Sequence, residues 1–227
     1  MAKKVNKHKK TFLDNTKLMS GVILVLYFIW ILLAGSVELT FINFLGHFLF
    51  LMTILILNYQ DFKRCFKEIA KKPVKNILLI LLLAVIVFVI ANGGRMVCSL
   101  IIGDTGVDSS NAALQQIFDI KPLGTLYVTF LTIFFYPIVE ETVFRGSIKS
   151  IISNKWLFII ISVIASWYFQ TVSINPTIEE LAYAVPTIFV SLFSAILYTK
   201  KNNILYVILP RVAYNLIIGI IQLSIIL

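Results

Sequence analysis

The chain has 227 residues, of which 59% are hydrophobic and 14% charged, with a mean hydropathy of +0.93 and a formal net charge of +9. Soluble domains run nearer half apolar and a quarter charged, so these values exclude a water-soluble globule, a disordered chain and a disulfide scaffold. The apolar residues lie in blocks of roughly 15 to 25, and ~20 cross a bilayer as helix. The expected fold is all-α, a polytopic membrane protein of about seven helices in one bundle. The ~10-residue alternating segments of a β-barrel are absent.

Charge gives the order of crossings. Six lysines lie in the first seventeen residues, and six basic residues lie between Lys63 and Lys75. Arg145, Lys149 and Lys155 form a third patch, and Lys200 and Lys201 a fourth. These patches hold 17 of the 20 basic residues, separated by paired apolar runs, which fits the positive-inside rule better than a nucleic-acid surface. The resulting spans are Leu18–Gly35, Phe41–Tyr59, Asn76 to Leu100, Leu123–Ser150, Trp156–Val172, Leu181–Thr199 and Ile204–Leu227. Gln60–Lys75 reads as a basic cytoplasmic loop, Gly103–Pro122 and Ser173–Glu180 as external segments. Asp108 to Gln116 is a candidate short interfacial helix. This arrangement expects a cell-membrane protein, bacterial in style, with a cytoplasmic N-terminus and an external C-terminus. Pro210 and Arg211 leave open a re-entrant last segment. The first apolar run lacks a small-residue cleavage site and reads as a retained anchor. Cys65 and Cys98 fall on opposite sides and are not expected to pair. Three regions follow: a basic tail at 1–17, helices with an external loop at 18–122, and a core at 123–227.

Ionisable groups at membrane depth cost at least ~2.5–3.5 kcal/mol each on insertion scales and call for a reason. The spans place four there: Glu140, Glu141, Arg145 and Arg211. Glu141 and Arg145 are four apart on one helical face, acid first, the favourable order for an ion pair. Glu140 is rotated ~100° from Glu141 and has no partner on its own helix. It reads either as a carboxyl kept neutral by burial or as a base or ligand facing a cavity. A pair with Arg211 on another helix would offset the cost of burying each. Pro137 is expected to kink the helix one turn earlier and free a carbonyl, or else to be a packing irregularity. His47 in an apolar run is expected to be a neutral, hydrogen-bonded core residue. Phe134, Phe135, Trp156, Trp167 and Tyr168 are expected in the core, against lipid or in the interfacial belt.

Glu140-Glu141-x-x-x-Arg145, followed by Gly146 and a short basic loop, resembles the first motif of the CAAX-protease and bacteriocin-processing (CPBP) membrane family. That family includes type II CAAX prenyl endopeptidases and Abi proteins linked to bacteriocin immunity, and the resemblance runs from about Leu123 to Gly219. It implies an intramembrane peptide-bond hydrolase, a Glu and two histidines holding or activating water, and a metal in some readings. The later family motifs are Phe-x-x-x-His and His-x-x-x-Asn/Asp. Here Ser166 and Gln170 stand at the first, Arg211 and Asn215 at the second. Both family histidines are therefore replaced, and the chain's histidines, His8 and His47, lie far upstream. Gln170 has no proton to exchange, and Arg211 offers only donors. No cofactor is expected, and zinc in particular is not.

The functional expectation is a CPBP-type endopeptidase-like membrane protein. The alternative is a member impaired in catalysis, a pseudoenzyme acting as an immunity protein or as a scaffold for another membrane enzyme. A small transporter or channel is disfavoured, since the chain shows no inverted repeat. Candidate site residues are Glu140, Glu141, Arg145, Gln170, Arg211 and Asn215. Expected partners are the lipid bilayer and a membrane peptide or protein, and no nucleic acid.

Overall fold

The computed structural model describes residues 17–31, 41–102, 123–171 and 185–226, all of them helical apart from short turns. In chain order these form α1 (Lys17–Ile31), α2 (Phe41–Leu57), α3 (Tyr59–Ala70) and α4 (Pro73–Ile102). Then come α5 (residues 123–151), α6 (Lys155–Thr171), α7 (Val185–Lys201) and α8 (Leu205–Ile226). The 1–17 tail up to Thr16, the external segments Gly103–Pro122 and Ser173–Glu180, and the Asp108 to Gln116 helix lie outside the described residues.

Apolar side chains cover the outside and polar ones gather inside, as a bilayer demands. Leu78, Leu81, Leu82, Val85 and Val89 of α4 are exposed, whereas Glu141, Arg145, Ser162 and Ser166 are buried. This is a membrane protein. By length and composition, two described helices can cross a bilayer, Pro73–Leu100 and Tyr127–Ile151. A third crossing results if α2 and α3, bent by 72° at Asn58, count as one. The remaining apolar helices are shorter, so the described residues carry the all-helical class but not a count of seven crossings.

Local chemistry fixes the helix ends. The Asn154 carboxamide accepts from the N–H groups of Trp156 and Leu157 and caps α6. Asn202 turns the chain between α7 and α8 at φ 50°, a left-handed backbone that asparagine tolerates well. Asn203, buried in that turn, accepts from Leu205 N–H and donates to the Cys65 carbonyl and the Glu68 carboxylate at 2.9 Å. The α7–α8 turn is thereby pinned to α3. That contact corrects the expectation of a loop at Gln60–Lys75. Its first two-thirds form an amphipathic helix, with Cys65 and Ile69 buried against Ile204, Leu205 and Ile208. The basic count there had suggested a solvated connection, but cysteine and isoleucine four apart make an inward stripe.

The core is built around α5. Tyr127, Leu131, Phe135, Val139, Val143, Phe144 and Ile148 descend one side of it and meet Ile23 and Tyr27 of α1, Leu51 and Ile54 of α2, and Phe158 of α6. Gly46 lets α1 approach α2, because a Cβ there would stand 2.8 Å from the Trp30 ring. His47 next to it lies between the Trp30 and Phe135 rings and shares a 3.0 Å hydrogen bond between Nδ1 and the Tyr127 hydroxyl. It is the core histidine expected from the sequence. Phe135 is buried, while Phe134, Trp156 and Tyr168 face outward. Cys65 and Cys98 are both free and buried. Pro210 sits inside α8 without ending it, so the last segment runs as one helix rather than folding back.

Candidate functional site

Helix α5 is not a uniform α-helix. Leu123–Phe130 leads into a π-helical stretch, Leu131–Phe135, then one α-helical stretch, Tyr136–Glu141, then a second π-helical stretch, Thr142–Ser147. Pro137, which has no N–H to donate, falls just after the first wide turn. Here the expected proline irregularity takes the form of a π-helical segment, in which the backbone bonds reach one residue further. The two π segments bracket Glu140 and Glu141 and set the direction in which both carboxylates leave the helix.

Both carboxylates are buried, Glu141 completely. Arg211 of α8 binds both of them, donating from Nη1 to Glu141 Oε1 at 2.6 Å and from Nη2 to Glu140 Oε2 at 2.9 Å. Arg145 completes the group from inside α5, with Nε 3.1 Å from Glu141 Oε2. That last contact is electrostatic, since neither atom has a well-aligned hydrogen bond among the described residues. Two carboxylates and two guanidiniums cancel, which is how four charges can persist at this depth.

The pairs expected from the sequence, Glu141–Arg145 and Glu140–Arg211, are both present. One contact was not expected: Glu141 also binds Arg211 and so bridges the two arginines. Periodicity could not show it, because spacing along one helix says nothing about a guanidinium arriving from another.

A shell of hydroxyls and a carbonyl holds Arg145. Its Nη1 donates to Ser166 Oγ on α6 at 3.2 Å and its Nη2 to the Ser191 carbonyl on α7 at 3.1 Å. Ser191 Oγ donates to Ser166 Oγ at 2.8 Å, and Ser162 Oγ to the Phe144 carbonyl at 2.8 Å. Arg145 is thus a junction of α5, α6 and α7, and Arg211 joins α8 to it. Sequence reasoning passed over Ser162 and Ser191. The available signal was a pair of serines four apart, Ser162 and Ser166, on an otherwise apolar helix.

The remaining candidates lie differently. Asn215, one turn after Arg211, donates from Nδ2 to the Thr132 carbonyl at 2.6 Å. It braces α8 against the first π segment instead of reaching Glu140. The side chain of Gln170 lies outside the described residues, although α6 includes its backbone. Tyr136 stands one turn before Glu140 on α5, and Tyr27 of α1 packs edge-on against Phe144 of the same helix. Arg95 was also passed over, although it lies within the α4 span. It lines a cavity of about 150 Å³ between α4, α7 and α8, together with Arg211, Tyr214 and Asn215.

The family resemblance raises the question of a metal. Among the described residues no three His, Cys, Asp or Glu side chains come together. The two carboxylates present already accept from a guanidinium that carries no lone pair. These donors do not fit a zinc site.

Residues 122–217 match the family model described as type II CAAX prenyl endopeptidase Rce1-like. This segment is similar to the Rce1-like family. It contains every element of the charge network, from α5 through the Arg211 turn of α8, and its assignment agrees with the CPBP resemblance of Glu140, Glu141 and Arg145. No curated protein and no solved structure matches the chain. The matched segment is packed by α7 and α8 against α4, which lies outside it.

Proposed function

We propose that this chain is a CAAX-protease-like membrane protein that acts by binding a membrane peptide or protein, as an immunity protein or a scaffold, and no longer cleaves it. The observation that carries this reading is the engagement of both carboxylates by Arg211, 2.6 and 2.9 Å away. A general base must have a free lone pair within reach of the attacking water. A carboxylate oxygen that already accepts a charge-assisted hydrogen bond from a guanidinium is less available to take a proton from water. Arg211 also supplies no ligand where a metal would need one, so zinc has no part in this reading. The cell membrane, with the basic patches on the cytoplasmic side, is the proposed location.

A second reading retains peptide hydrolysis, and the place of Tyr136 one turn before Glu140 on α5 favours it. Glu140 would act as base, Arg211 would stabilise an oxyanion, and a tyrosine hydroxyl would protonate the leaving amine.

One assay separates the two. The full-length protein, reconstituted in liposomes, is incubated with a farnesylated CAAX peptide, beside Glu140→Gln and Glu141→Gln controls, and its metal content is measured. The binding reading expects cleavage no faster than in the controls and less than about 0.1 zinc per chain, as for a protein without a tetrahedral donor set. Cleavage above both controls, or one zinc per chain lost on Glu140→Gln, would return hydrolysis to this chain.

A further inference from the structure

The cavity beside the charge network has an unbalanced charge. Its walls are Val87, Ala91 and Arg95 of α4, Pro186, Thr187, Val190 and Ser191 of α7, and Arg211, Tyr214 and Asn215 of α8. Two guanidiniums line it and no carboxylate does. Arg211 is neutralised from behind by Glu140 and Glu141, using one N–H on each terminal nitrogen. A guanidinium has five N–H donors, so three are not used by these two carboxylates. Arg95 has no carboxylate partner among the described residues, although it belongs to a helix long and apolar enough to span a bilayer. Its side chain is exposed, so it can reach an anionic ligand without first leaving a buried pair.

Shape and lining narrow the ligand. The volume of about 150 Å³ suits a single oxyanion group with its nearest carbons. Val87, Ala91, Pro186 and Val190 contribute apolar lining, while Arg95, Tyr214 and Asn215 contribute donors. Gly94 keeps this wall close, because a Cβ there would stand 2.7 Å from the Pro186 backbone. The neighbouring side chains Phe88, Met96, Phe189 and Leu216 are exposed and apolar, so the cavity opens among helix faces suited to acyl chains. An amphipathic cavity carrying one excess positive charge matches an amphiphile with a phosphate head.

We propose that the α4–α7–α8 cavity binds the phosphate group of an anionic phospholipid, with Arg95 as the charge that selects it and the remaining N–H groups of Arg211 as its inner donors. Planar guanidinium forks suit phosphate oxygens, which they bind in pairs. This site does not depend on whether the domain hydrolyses peptides, and its test reads binding alone.

The test uses native mass spectrometry and thermal melting of the full-length protein in neutral detergent. The probes are phosphatidylglycerol, phosphatidylcholine and inorganic phosphate. The site predicts saturable binding of one phosphatidylglycerol, preferred over phosphatidylcholine by about tenfold or more, the scale of one charge-assisted hydrogen bond. Arg95→Gln should abolish that preference and Arg95→Lys keep part of it. A Lys63→Gln/Lys67→Gln variant, which thins the basic surface of α3, should leave the saturable site intact. Binding of inorganic phosphate that is lost in Arg95→Gln, without lipid preference, would keep the oxyanion site and overturn its assignment to lipid. No preference in the wild type, or an equal preference in Arg95→Gln, would overturn the proposal outright.

Discussion

Glu141 is the residue on which the charge network turns. It is fully buried and touches both guanidiniums, whereas Glu140 touches only Arg211 and retains slight exposure. Neutralising Glu141 leaves Arg145 and Arg211 with one carboxylate between them, and Arg145 then has no acid in contact. Breaking a buried pair in this way costs ~3–5 kcal/mol. Glu141→Gln should therefore lower the melting temperature in detergent more than Glu140→Gln, which leaves the Glu141–Arg145 and Glu141–Arg211 contacts standing. Equal effects of the two substitutions would remove Glu141 from the centre. These contacts were partly legible in the sequence. Charges are so costly at membrane depth that Glu140, Glu141, Arg145 and Arg211 stand out, and helical spacing paired two of them. The bidentate arrival of Arg211 was not legible, because it depends on how α8 packs on α5. Arg95 was overlooked despite the same signal.

At the scale of elements, the feature that aims the site is the alternation of π and α turns in α5. Composition carries no trace of it. Leu131–Phe135 reads as five more apolar residues in an apolar run, and Pro137 announces a disturbance without saying which kind. Asn215 helps to hold this stretch through its 2.6 Å bond to the Thr132 carbonyl. Asn215→Leu should remove a donor from that exposed carbonyl, at a cost of ~0.5–1.5 kcal/mol. Hydrogen–deuterium exchange should then rise within Leu131–Phe135 and stay unchanged in Thr142–Ser147, where Arg145 is held by Ser166 and Ser191. Faster exchange in both stretches alike would mean that Asn215 supports the whole bundle and not one turn. Helix α3 teaches a related lesson. Its basic residues dominated the reading of Gln60–Lys75, yet Cys65 and Ile69 at helical spacing were enough to reveal a buried stripe.

For the whole molecule, the sequence showed the class and the site segment well: a helical membrane protein whose polar centre lies in the segment similar to the Rce1-like family. The number of crossings was less legible, since apolar length alone cannot distinguish a short tilted helix from a full span. The proposed orientation puts Lys72, in the turn between α3 and α4, on the cytoplasmic side. Lys72→Cys should react with a membrane-impermeant maleimide only after the cells are opened, with little background because Cys65 and Cys98 are buried. Labelling of intact cells would invert the arrangement.

The central claim is that Glu140 and Arg211 form a charge clamp between α5 and α8 and do not act as a free base beside an independent cation. A double-mutant cycle on Glu140→Gln and Arg211→Leu, read as unfolding stability in detergent, tests it most directly. A clamp predicts that each single change is destabilising and that the double change costs less than their sum, with a coupling of ~0.5–3 kcal/mol as for residues in direct contact. Strictly additive losses, or a Glu140→Gln variant more stable than the parent, would contradict it.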